Sequence, residues 1–357
     1  MAEPRNRLSG SGVGEPAAPV TTAGLAADRP QPGPLATVRS RVERLDVVEL
    51  SRRYGIIVVW LGVIAVFSVL RPDTFFTFGN LQTIAGSQAV LVVLTLGLLV
   101  PFAVGEFDVS ISGTLGISLV LVGWLNVVQQ WAIGWAILVA LVVGLLVGAI
   151  NAFFVVVARV ESIVVTLGMG TLLAGVSIGI NGQSTGGISQ TLVDATRNQL
   201  FGLPLAFYYG LLLTVIAWYV FSFTPLGRYI YFVGAGRDVA RLSGIPVDRI
   251  RVGAFLTSGF ISALAGVLLA GWLGASDPNV SSTYLLPTFA AAFLGAAVIQ
   301  PGRFNPWGSL IAVYFLVTGV TGLELLGLAG WIEQVFYGGS LVLAVALSRL
   351  AGRRETR

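Results

Sequence analysis

Apolar residues in this chain are gathered into long blocks, separated by short polar breaks, from about residue 55 to residue 348. Several blocks approach the roughly 20 residues that a helix needs to cross a bilayer. The pattern predicts ten segments, at about 55–70, 84–104, 109–125, 131–157, 162–181, 205–222, 252–275, 286–300, 305–322 and 330–348. The expected fold is therefore an all-α polytopic membrane protein of about ten transmembrane helices, broken or half-helices among them. Residues 1–52 are rich in Ala, Pro, Gly, Thr and Arg, and Pro30-Gln31-Pro32-Gly33-Pro34 excludes a helix there. This stretch reads as a disordered cytoplasmic tail, residues 53–350 as one membrane domain, and 351–357 as a basic C-terminal tail.

One polar break stands out. Gly105-Glu106-Phe107-Asp108-Val109-Ser110-Ile111-Ser112-Gly113 places two carboxylates between two strongly apolar runs. Ionisable groups at membrane depth are costly and face a protein interior, a cavity or an aqueous boundary. A polar, glycine-flanked interruption is also the form of a broken helix at a transport site. The topology puts Glu106 at the water boundary and leaves Asp108 and Ser110 as the pair that shapes the break. An echo, Gly302-Arg303-Phe304-Asn305, interrupts the later apolar hairpin at 287–322. Glycines inside the runs, such as Gly144 and Gly148, fit close helix packing within the bundle.

Charge then sets the orientation. All 21 basic residues are Arg, because the chain contains no Lys and no His. Arg39, Arg41, Arg44, Arg52 and Arg53 precede the first segment and fit a cytoplasmic anchor, in preference to an amphipathic surface helix. Alternate loops hold eleven Arg on the inside (159, 228, 237, 241, 249, 251, 303, 349, 353, 354 and 357) against Arg71 and Arg197 outside. That bias predicts an even number of crossings with both termini cytoplasmic. It also accounts for the net charge of +4 without a nucleic-acid partner.

Composition narrows the chemistry. Charged residues are 11% of the chain, against about a quarter in soluble proteins. Without Cys or His there is no thiolate or imidazole metal site and no histidine-based triad. Without Lys there is neither a Schiff base nor a GxxxxGK[ST] nucleotide-binding loop. The chain is not expected to be an enzyme or to carry a cofactor. Uphill transport would need a partner ATPase or an ion gradient.

The most polar inside loop runs from Thr224 to Arg251. Asp238 to Ser243 reads as a short helix that Gly244 ends at its C′ position. Physics alone leaves open whether it docks on a soluble partner or is an ordinary solvated loop. The residues of this loop resemble the permease subunits of ribose-type ABC sugar importers, through Thr224, Gly227, Arg228, Val233, Gly234, Ala240, Ser243, Gly244 and Ile245. Gly105, Asp108 and Ser110 match that family's Gly-Gly-Ile-Asp-Leu-Ser element, and Val164-Val165-Thr166-Leu167-Gly168-Met169 matches a third. Asn151 stands where the family has an Asn-Gly pair, with Ala152 in place of the glycine. The resemblance spans about residues 53–350. The departures lie at 283–291 and 295–302, where the family's two carboxylates are absent and the second break is bulkier.

The resemblance implies a permease that pairs with a second copy of itself or a paralogue, couples to ABC ATPase subunits, and receives solute from an extracytoplasmic solute-binding protein. Arg237, Asp238, Ala240, Arg241, Ser243 and Gly244 would then form the element that couples to the ATPase. Gln88, Asp108, Ser110, Asn151, Thr166 and Asn181 are the candidate substrate-path or gate residues; each also fits a role in satisfying a neighbouring helix. A monosaccharide is the expected solute. The alternatives are a nucleoside or autoinducer-like solute, an ion-coupled secondary transporter using Asp108, and, least in keeping with the composition, a membrane enzyme.

Overall fold

A computed structural model of the chain describes residues 54–328 and 330–352. The expected tail at 1–52, the last five residues and the placement of the termini lie outside the described residues. The fold is an all-α polytopic membrane protein. Among the described residues, seven helices are long and apolar enough to cross a membrane, and three shorter apolar helices, Tyr54–Leu70, Val280–Gly295 and Trp331–Ala346, accompany them.

The elements in chain order are α1 (Tyr54–Leu70), α2 (Phe78–Ser87), α3 (Ala89–Ala103), α4 (Ile111–Gly123), α5 (Ile133–Ala152), α6 (Ser162–Ile180), α7 (Gln190–Arg197) and α8 (Leu205–Phe223). They continue with α9 (Pro225–Ala235), α10 (Arg237–Leu242), α11 (Val247–Leu273), α12 (Leu285–Gly295), α13 (Pro306–Leu325) and α14 (Trp331–Gly352). Two ribbons of two-residue strands tie the loops at one end, Thr185–Gly186 against Ala275–Ser276 and Gln199–Leu200 against Leu203–Pro204, both antiparallel.

Local chemistry marks the boundaries. Thr77 caps α2 by accepting from the Asn80 N–H at 3.2 Å, and α2 and α3 make one 26-residue span with a joint at Gln88. The predicted segment at 84–104 missed the first six of these residues because their polar Asn80 and Gln82 look like loop. Thr224 caps α9 and Asn305 caps α13, each followed by a proline at the first helical position, where its missing N–H costs no hydrogen bond. The segment predicted at 286–300 ends at Gly295, since Ile299 takes φ +62 and Pro301 follows.

The core is α3, α4 and α11, with α11 packed on α3, α4 and α5. Lipid offers apolar side chains as good a solvent as the bundle does, so close contact decides helix association. Glycines supply it. A Cβ on Gly148 would stand 2.5 Å from the Phe255 carbonyl oxygen, and one on Gly113 would stand 2.8 Å from that of Gly170. Gly144-x-x-x-Gly148 is thus an α5–α11 packing surface within the bundle, whereas α6 and α8 leave most of their apolar side chains facing outward.

Candidate functional site

The break after α3 forms by helix termination. Gly105 takes φ +76; its N–H donates to the Phe102 carbonyl at 3.1 Å, and the Glu106 N–H donates to that of Pro101 at 2.9 Å. These are the paired bonds of a glycine-ended helix stop. Residues 106–109 then run without helical bonds until α4 begins at Ile111. Such a stretch leaves N–H groups bare in an apolar interior, and each one needs a partner. Hydroxyls of α6 meet two of them, as the Phe107 N–H donates to Ser162 Oγ at 3.2 Å and the Val109 N–H to Thr166 Oγ1 at 3.0 Å.

The Asp108 carboxylate meets a third. Its Oδ1 accepts from the Ser110 N–H at 3.0 Å and from the Ser110 hydroxyl at 2.6 Å, and its Oδ2 accepts from the Ser258 hydroxyl of α11 at 2.6 Å. Asn151 of α5 donates its Nδ2 to Ser110 Oγ at 2.8 Å. All of these side chains are buried. Of the six predicted path residues, Asp108, Ser110, Asn151 and Thr166 therefore meet at one point, where the break, α5, α6 and α11 are joined. Asn151 Oδ1 has no hydrogen-bond partner among the described residues and leaves the cluster an open acceptor.

Gln88 and Asn181 stand apart. Gln88 sits in the α2–α3 joint with its Nε2 bonded to Ser87 Oγ at 3.1 Å. Asn181 follows α6 and donates to Thr185 Oγ1 at 2.6 Å. Both lie toward the opposite end of their helices from the break.

Two residues before Asp108 the electrostatics change completely. Glu106 is only 3% exposed, and its Oε1 lies 2.6 Å from both Arg237 and Arg251. Arg237 also donates to the Gly105 carbonyl at 3.0 Å, and Arg251 to that of Val155 at 3.4 Å. The expectation of a water-boundary Glu106 is thus corrected: the carboxylate is buried and doubly paired. Arg249 and Arg251 are also not loop residues, because α11 begins at Val247. A cavity of about 600 Å³ opens beside the pair, between the turn at Arg159–Ser162 and α10.

The α10 helix follows the sequence reading closely. Ala240 is fully buried, while Arg241 is exposed with a 3.4 Å contact to Asp248. Asp238 lies in the first turn, and Ser243 caps the end with its hydroxyl on the Val239 carbonyl at 2.9 Å. Gly244, at φ +79, gives its N–H to the Arg241 carbonyl, and Ile245 gives its own to that of Ala240, both at 3.1 Å. Sequence reasoning missed that Val239 and Leu242, 59% and 90% exposed, present an apolar tip. It also missed α9, whose Gly234 sits against the Ala103 carbonyl with no room for a Cβ.

The second break repeats the plan with different chemistry. Gly302 takes φ +84, and Asn305 accepts from the Gly308 N–H at 2.7 Å while donating to the Val298 carbonyl at 3.0 Å. An ionised aspartate has no donor for the second bond, which is a physical reason for the amide here. Phe102 packs between the breaks, with ring centroids 5.3 Å from Phe107 and 5.0 Å from Phe304. Tyr231 of α9 donates to the Phe304 carbonyl at 2.6 Å.

Residues 80–345 match the family described as branched-chain amino acid transport system / permease component. The chain belongs to this permease family. As such it is a transport subunit without catalysis of its own. The permease is 27% identical to the ribose import permease protein RbsC of Haemophilus influenzae, over 82% of this chain and 92% of that one. It is 27% identical to the D-allose transport system permease protein AlsC of Escherichia coli, over 84% and 93%. It is 28% identical to the autoinducer 2 import system permease protein LsrD of Photorhabdus luminescens, over 74% and 82%. No solved structure matches the permease.

Proposed function

We propose that this permease is the membrane-spanning subunit of an ATP-driven importer for a monosaccharide, working by alternating access around the break at 105–110. The arginine-rich end, with α9, α10 and the start of α11, faces the cytoplasm, as the distribution of Arg between loops argues. The observation that carries the reading is α10: a six-residue helix held to the bundle by a buried Ala240, with Val239 and Leu242 left exposed. An apolar tip of this kind is a plug for a groove on a soluble partner, and a chain with no nucleotide-binding loop needs an ATPase there. A solute-binding protein delivers the sugar to the opposite end, and a second copy or a paralogous permease completes the pathway.

Within the permease, Asp108, Ser110, Asn151 and Thr166 shape the gate, and Gln88 and Asn181 lie nearer the entrance. The acceptors of Asp108 are occupied by hydroxyl and amide donors, which favours this role over that of a proton carrier. Similarity to ribose and allose permeases supports a sugar; similarity to autoinducer 2 permeases makes that solute the second reading.

Co-expression with its ATPase subunit tests the assignment. Val239→Glu with Leu242→Glu is expected to leave a monodisperse permease that no longer co-purifies the ATPase. A double variant that retains the ATPase at wild-type yield removes α10 from the interface.

A further inference from the structure

Glu106 belongs neither to the hydrogen-bonded gate nor to the exposed tip of α10, yet it touches the elements that carry both. Its Oε1 is held at 2.6 Å by Arg237, the first residue of α10, and at 2.6 Å by Arg251 in the second turn of α11. Glu106 itself is part of the break, two residues from Asp108. Arg237 binds the break a second time through the Gly105 carbonyl at 3.0 Å. Directly behind it, Gly234 lies against the Ala103 carbonyl that ends α3. The α9–α10 corner is thus fastened to the break by charge and by close backbone contact together. On the other side, Ser258 of α11 holds Asp108 at 2.6 Å.

We infer that Glu106 is a positioning residue for transport: a buried charge clamp that makes α10 and the helix break move as one body. The physical reason is the cost of separation. A carboxylate that is 3% exposed cannot give up both cations without being left as an uncompensated charge in a poorly solvating interior. Any displacement of α10 by a partner is then cheapest when Glu106, and with it Phe107 and Asp108, follows. Arg251 is 12% exposed and forms the static side of the clamp; Arg237 is 42% exposed and forms the side that reaches out to α10. Because two guanidinium groups share one carboxylate, Glu106 stays paired with Arg237 when the two move away from Arg251 together.

This inference rests on the importer reading for its purpose, but its mechanical content does not depend on it. The test is hydrogen exchange of the full chain in lipid nanodiscs, followed for residues 236–243 and 104–111. In the wild type the two segments are expected to exchange at similar rates. Glu106→Gln is expected to raise exchange in both at least tenfold, with Glu106→Asp in between. Arg237→Gln, at a half-exposed site where folding is not at stake, is expected to free 236–243 while 104–111 stays within threefold of wild type. If Glu106 mattered only to its own segment, Glu106→Gln would loosen 104–111 alone. Glu106→Gln or Arg237→Gln leaving 236–243 within twofold of wild type overturns the clamp. The importer reading fails separately, if solute uptake by the wild type ignores ATP, and the exchange data decide the clamp in either case.

Discussion

Removing the Asp108 carboxylate separates a hydrogen-bond hub from a charge used in transport. Three donors converge on it: the Ser110 N–H, the Ser110 hydroxyl and the Ser258 hydroxyl. In Asp108→Ala the Ser258 hydroxyl has a fallback, because a helical serine can turn to the carbonyl four residues earlier. The Ser110 N–H has none, and a buried donor left unpaired costs about 1–3 kcal/mol. With the loss of the serine–carboxylate bonds, the total for Asp108→Ala is on the order of 2–5 kcal/mol. Asp108→Asn keeps an acceptor for both Ser110 donors, and its amide nitrogen faces a Ser258 oxygen that can accept. The hydrogen bonds it keeps are weaker by about 1 kcal/mol in all. The assay is the temperature at which detergent-solubilised permease loses its monodisperse peak, with ATP-dependent uptake measured alongside. Asp108→Ala is expected to lower that temperature by on the order of 5 °C or more, and Asp108→Asn by a small fraction of that with most uptake retained. Two results would refute the reasoning: an alanine variant as stable as wild type, or an asparagine variant that folds normally yet transports no better than the alanine one.

Other expectations follow from single contacts. Gly148→Leu should abolish the monodisperse peak, since even its Cβ would lie 2.5 Å from the Phe255 carbonyl oxygen and 3.0 Å from the Leu256 Cα; normal expression would show that α5 and α11 are not in contact. Gly244→Ala should cost about 1–2 kcal/mol for a side chain held at left-handed φ, read as faster proteolysis at 236–246 with the remainder of the bundle intact. Arg241→Glu should leave thermal stability within the ~1 kcal/mol typical of exposed pairs, while ATPase co-purification falls at least tenfold. Asn305→Asp should destabilise the second break by about 1–3 kcal/mol, because a carboxylate oxygen replaces the amide that donates to the Gly295 and Val298 carbonyls; an unchanged melting temperature would contradict that role.

The sequence was most readable where a single residue type carries the physics. Among the described residues, apolar runs located eight of the ten apolar helices to within about five residues at each end, and Gly244 ends α10 as its position promised. The misses share one cause: they depend on partners distant in the chain. Glu106 looked like a boundary acid because its two cations lie 131 and 145 residues away. Ser258 and Ser162 are small hydroxyls in apolar surroundings, and nothing local marks them as partners of the break. The α9 helix was hidden by its polar flanks, although Thr224-Pro225 is a helix-start signature. One signal was available and unused. An Arg at the start of a long apolar run, as Arg251 is, calls for an acid partner, and Glu106 stood in a predicted break.

What drives transport separates an ATP-powered permease from an ion-coupled one. The decisive measurement is uptake of radiolabelled D-ribose, D-allose and L-arabinose, and of autoinducer 2, into liposomes holding this permease with its ATPase and solute-binding protein. ATP inside the vesicle system should drive accumulation of one of these solutes, and a protonophore should leave it unchanged. Uptake that persists without the ATPase and collapses with the proton gradient would contradict the account, and would return Asp108 to consideration as an ion-coupling site.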